Sequence, residues 1–169
     1  MLKRLSVACF LSLSLGAQAG GTRPSFGDYP VKEIFRGKPA PPKLVTKGDR
    51  AFRTRIRYGA KLPVEFAGHY TLPRWGCGQG CNAFAIVDSL TGRVYDVPFS
   101  LEALPYSWVE KHADEPHDRM AFRPDSRLMK LDACLNETDC GLYDYVMVDG
   151  KGLKLIRKEL LPREFQPAQ

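Results

Sequence analysis

The sequence predicts an α+β fold: mostly antiparallel β-meander or sandwich, with one N-terminal helix and a proline-rich extended arm. Three observations carry that prediction. "LYDYVMVDGKGLKLIRKEL" (142–160) is two strand-like runs around "DGKG" (149–152), whose glycines allow the positive φ of a hairpin turn. "AFAIVD" (83–88), "SLTG" and "RVYDVPF" repeat strand–turn–strand, with Asp88 and Gly92 bracketing the turn. Thr46 and Asp49 form a T-x-x-D pattern ahead of "RAFRTRIRYGA", a capping box with Asp in place of Glu or Gln.

In chain order, Lys3 and Arg4 precede the apolar run "LSVACFLSLSLG" (5–16), and "AQA" (17–19) supplies small residues for a signal peptidase. Residues 1–19 read as a signal peptide cleaved after Ala19, too short to remain as a membrane span. Cys9 sits too near the charged residues to be a lipoprotein cysteine and leaves with the peptide. Residues 20–45 form the arm. Pro24, Pro30, Pro39, Pro41 and Pro42 block helix and central strand, while Val31, Ile34 and Phe35 lay it on the domain. The single domain spans 46–169.

The stretch 47–59 fits two periods. Phe52 and Ile56 lie four apart; Phe52, Thr54, Ile56 and Tyr58 also alternate. The cap and Gly59 decide for helix. From residue 64, "EFAGHYTLPRW" turns β-like. "DSRLMKLDACL" begins another strand. In the final hairpin Tyr143, Tyr145 and Met147 alternate with Asp144, Val146 and Val148, so both faces carry apolar groups and the strand is expected to be central. Between them, Pro105 interrupts "LEALPYSW", and residues 99–122 read as an irregular excursion packed by Leu101, Leu104, Tyr106 and Trp108.

At 169 residues the chain holds one core, not comfortably two. Losing Lys3 and Arg4 lowers the formal charge from +6 to +4, because residues 1–19 contain no acid. Arg53, Arg55 and Arg57 alternate without an aromatic-interleaved basic patch, so no nucleic-acid partner is expected. No second apolar run of membrane length follows, and a monomer without a membrane span is expected.

Four cysteines remain: Cys77, Cys81, Cys134 and Cys140. An even set in an exported chain reads as disulfides. Local pairing, Cys77–Cys81 and Cys134–Cys140, is favoured because each pair brackets a turn-like stretch. Cross-pairing of the two loops stays open.

"GHYTLPRWGCGQGC" (68–81) admits several chemistries. A metal held by Cys77, Cys81 and His69 has suitable ligand types, but C-x₃-C with C-x₅-C is not a zinc pairing. His112 and His117, flanked by Asp114, Glu115 and Asp118, read as a solvated loop before they read as a cation site. Neither a metal nor another cofactor is expected. A thiol enzyme using Cys77 or Cys81 needs His69 as a base and a thiol that stays reduced. Glu102, Glu110, Asp114 and Glu115 offer carboxylates, with nothing to fix their separation. The remaining chemistry is recognition. Gly76, Gly78 and Gly80 let backbone approach a partner, and Tyr70, Arg74 and Trp75, beside His69, are residue types that anchor interfaces. The competing reading is that Trp75 plugs the core and the glycines only allow a tight turn.

"FAGHY" (66–70), "WGCGQGC" (75–81), "DYPV" (28–31), "GKPAPPKL" (37–44), "IVDSLTGRVY" (86–95) and "FRPDSRLM" (122–129) together resemble a family of small exported bacterial proteins that share FAGHY and WGCGxGC motifs. The resemblance covers nearly all of the chain after residue 19. It implies export and one domain, and it brings no catalytic residues. In kind alone, a small β-rich domain with internal disulfides is similar to periplasmic lysozyme inhibitors and immunity proteins. The expectation is a non-enzymatic periplasmic or secreted binding protein acting on an envelope partner. The alternative is a cysteine-dependent envelope enzyme or redox protein using Cys77 or Cys81 with His69.

Overall fold

A computed structural model describes residues 22–115 and 117–168; the signal-peptide expectation for residues 1–19 lies outside them. The α+β, β-rich class is as expected. The helical content is distributed differently. The stretch expected as one helix is two, α1 (Lys47–Ala51) and α2 (Arg53–Gly59), broken at Phe52. The cap is formed in full. The Thr46 hydroxyl accepts from the Asp49 amide at 3.0 Å, and Asp49 Oδ2 accepts from the Thr46 and Val45 amides at 2.9 and 2.7 Å. This satisfies amides that a helix start leaves without partners. A third helix, α3 (Tyr106–Lys111), replaces the expected irregular excursion. Pro105 stands immediately before it, where a missing N–H costs nothing, so the proline precedes the helix instead of forbidding it. Leu101, Leu104 and Trp108 pack inward as expected, but Tyr106 is 78% exposed.

The strands are β1 (Tyr70–Thr71), β2 (Arg74–Gly78), β3 (Cys81–Asp88), β4 (Val94–Asp96), β5 (Leu101–Glu102), β6 (Ala121–Phe122), β7 (Leu128–Leu135), β8 (Asp139–Val148) and β9 (Gly152–Leu160). All strand pairings are antiparallel, along the path β1-β3-β5-β7-β8-β9, with β2 and β4 also on β3 and β6 on β7. β8 is central between β7 and β9, which explains why both of its faces are apolar. Register places Leu131 opposite Tyr143 and Met129 opposite Tyr145. By strand alternation these face one way, into the main core with Phe66, Tyr70, Leu72, Phe84 and Ile86. The other face of β7–β8 carries Asp132, Asp144 and a smaller cluster of Leu104, Trp108, Cys134, Cys140 and Phe165.

The arm lies along the domain through backbone bonds. Val31 donates to Asp125 O at 3.0 Å, Phe35 to Gly68 O at 2.7 Å, and Lys43 to Gly92 O at 2.7 Å. At the arm's start Arg23 bridges two carboxylates, 2.6 Å from Asp132 and 2.9 Å from the fully buried Asp144. The Asp88 turn closes as expected. Asp88 accepts from the Leu90 amide at 2.8 Å and the Thr91 hydroxyl at 2.6 Å, and Gly92 takes φ +74°.

Candidate functional site

β2 and β3 form a hairpin that ends in a disulfide between Cys77 and Cys81, and a second joins Cys134 to Cys140 across the β7–β8 hairpin. The local pairing is therefore the one formed. Two disulfides point to an oxidising, extracytoplasmic compartment. Among the described residues no helix is long and apolar enough to cross a membrane.

The hairpin tip is open. A Cβ added at Gly76 or Gly78 would meet nothing nearer than 3.9 Å, and one at Gly80 nothing within 4 Å. Gly80, at φ +72°, and Gly78, at φ +156°, take backbone conformations that L side chains rarely adopt. Neither packing space nor backbone conformation requires the glycine at Gly76.

The five residues expected to bind do not share one place. Trp75 is half-buried. Its ring stacks on Phe52 with centroids 4.4 Å apart and planes within 18°, and it packs over Ile56, Ala60, Ala85 and Val87. Adjacent strand residues point to opposite faces. Arg74 accordingly turns away, 2.8 Å from Glu65 and 5.0 Å from the centre of the Phe122 ring. Tyr70 is only 1% exposed and is a core residue; its hydroxyl donates to Asp149 at 2.9 Å. Burial first, and then Asp149, push its phenol well above the ordinary value of 10.0. His69 lies 3.9 Å from Asp88 and against the Tyr70 ring. Tyr70 pairs with Asp88, so His69 sits near the end of β3 opposite to Cys81, roughly 20 Å away along an eight-residue strand. Arg74, Trp75 and Gly78 all lie on the β2–β3 hairpin, with Arg74 on the opposite face from Trp75.

Trp75 and Cys77 line a cleft of about 590 Å³. Phe52, Ile56, Ala83, Ala85, Asp96 and Phe99 are among its other lining residues. Asp49 and Asp96 stand together at one side. Burial and the neighbouring Asp49 carboxylate raise the Asp96 carboxyl above its ordinary 3.8, while a hydrogen bond from Thr46 opposes the shift. A lining of aromatic and apolar side chains with one carboxyl pair suits a partly apolar group bearing a hydroxyl or cation. The sequence marked Asp49 as a cap and gave no signal that Asp96 would meet it.

The other expected chemistry is absorbed by structure. His112 Nδ1 is 2.8 Å from Trp108 O, and His117 lies 3.1 Å from His112 O and 3.4 Å from Asp132. Glu102 accepts from Ser100 Oγ and the Glu137 amide at 2.7 and 3.0 Å. Among the described residues no group of three His, Cys, Asp or Glu side chains is arranged to hold a metal ion.

The class defined is a disulfide-stapled antiparallel sheet with a cleft lined in part by aromatic side chains. No protein-family model matches the chain, nor does any curated protein or solved structure.

Proposed function

We propose that this chain is a non-enzymatic binding protein of the periplasm or the secreted fraction, freed of residues 1–19, that seats a projecting group of an envelope protein in the cleft under Trp75. The observation that carries the reading is the Trp75–Phe52 stack lining the cleft, beside a hairpin tip where Gly80 faces open space. A staple on that hairpin lowers the entropy lost on binding. Trp is the residue type most enriched among interface anchors. The resemblance to exported bacterial proteins, and the likeness in kind to inhibitors, agree with this role. A thiol enzyme is less well supported: Cys77 and Cys81 are bonded to each other, and His69 stands beside Asp88.

The test is Trp75→Ala, compared with wild type for melting temperature and for capture of a partner from envelope extract. A half-buried Trp stacked on one ring contributes about 1–2 kcal/mol to the fold. The variant should stay folded and lose capture. Full capture by a folded but less stable variant would make Trp75 core architecture only.

A further inference from the structure

We propose that the outward face of α1–α2, continued by the arm at Arg36, is a docking surface for the anionic headgroups of a lipid bilayer. The inference goes beyond the cleft reading and does not depend on it.

Residues 36–61 hold nine Lys and Arg and a single acid, Asp49. That excess is larger than the whole chain's formal charge of +6, so the remainder is net acidic. Asp49 is buried and occupied as the α1 cap. None of the nine cations is in an ion pair among the described residues. Within α2, Arg53 and Arg57 at i and i+4 share one face, apart from the buried Ile56 and Gly59, and Arg50 on α1 and Lys61 just past the end of α2 are exposed as well, extending that pair into a stripe. Arg36 shares a surface depression with Lys61 and Leu62, so the arm extends the stripe.

Apolar side chains stand among these charges. Val45 is 71% exposed, Tyr58 70% and Leu62 44%. The absence of aromatics expected around the arginines is thus not what the helix presents, because helical winding brings Tyr58 to the surface beside them. Unpaired cations with exposed aliphatic and aromatic groups are the composition of a segment lying in a bilayer interface. A nucleic acid would use the charge and could stack on Tyr58, but it has no use for Val45 and Leu62. The contact is shallow: a seven-residue α2 spans roughly 10 Å, against about 30 Å of hydrocarbon. The extracytoplasmic setting indicated by the disulfides puts this face within reach of an envelope membrane.

The experiment is co-sedimentation of the mature chain with phosphatidylcholine vesicles made with or without phosphatidylglycerol. Binding is expected only with phosphatidylglycerol, weakening as salt rises. Arg53→Glu/Arg57→Glu should lower partitioning about tenfold or more with an unchanged circular dichroism spectrum. Lys151→Glu/Lys154→Glu makes the same charge change on the distant β8–β9 hairpin and should bind as wild type. Tyr58→Ser/Leu62→Ser should weaken the binding that survives at high salt, and Trp75→Ala should leave vesicle binding intact. No binding at low salt overturns the proposal, as does equal loss in both charge-reversed variants. Displacement from vesicles by an oligonucleotide, with Tyr58→Ser/Leu62→Ser behaving as wild type, also overturns it by showing a surface that reads charge alone.

Discussion

Gly92 shows how one residue ties two segments together. Its φ of +74° is a region L side chains rarely adopt, and an added Cβ would collide with the Pro41 carbonyl of the arm. Gly92→Ala should therefore cost about 2 kcal/mol or more, read as a lowered urea midpoint. The buried tyrosines give a second residue-scale expectation. Burial is the first cause raising Tyr70, Tyr143 and Tyr145 above the ordinary phenol value of 10.0. Folded tyrosines then hold protons that unfolded ones have released. The stability they support is complete below about pH 10 and is lost as pH rises above it. Phenolate absorbance from these three should appear together with loss of the circular dichroism signal in an alkaline titration; ionisation well before unfolding would contradict their burial. Residue-scale chemistry was partly legible. Thr46 and Asp49 identified the cap because both partners lie within one helical turn. Asp49 and Asp96 did not identify each other, because only tertiary packing brings together carboxyls so far apart in sequence.

Among elements, the arm and the β7–β8 pair depend on Arg23. Asp132 and Asp144 extend from adjacent strands beneath the arm, and Arg23 neutralises both at 2.6 and 2.9 Å. Removing it leaves two buried carboxylates short of a cation, although Arg157 remains 3.5 Å from Asp144. Arg23→Ala should cost about 3 kcal/mol, and Asp132→Asn/Asp144→Asn should recover part of that loss in the same background. A variant as stable as wild type in urea would mean the arm rests there without fastening the sheet. Strands and hairpins were legible wherever local pattern sufficed. "AFAIVD" and "DGKG" needed only apolar continuity and turn glycines. "FAGHYTLPRW" was harder. Gly68 and Pro73 interrupt its alternation, so nothing local said that Tyr70 would enter the core while Trp75 reached a cleft. Pro105 was read as a breaker because a proline before a helix and one inside it look alike until the helix start is known.

At the scale of the whole molecule, the two proposed roles fall on two surfaces. The cleft under Trp75 sits between the stapled hairpin and the helices, and the solvent side of those helices carries the basic stripe. Phe52 links the two, at 41% exposure, with one ring face against Trp75. The stripe was not legible as a surface. The strand-like alternation of Arg53, Arg55 and Arg57 hid the helical spacing that puts Arg53 and Arg57 on one face of α2. The cysteine chemistry was legible, because Cys77–Cys81 and Cys134–Cys140 each bracket a turn-like stretch and so favour local pairing before any coordinates exist. The central claim is that Cys77 and Cys81 form a staple supporting a recognition hairpin, and do not act as a thiol centre. Maleimide labelling of the mature protein, denatured without reductant and read by mass spectrometry, tests it most directly. The account predicts an unchanged mass, with no cysteine labelled; label on Cys77 or Cys81 would contradict it.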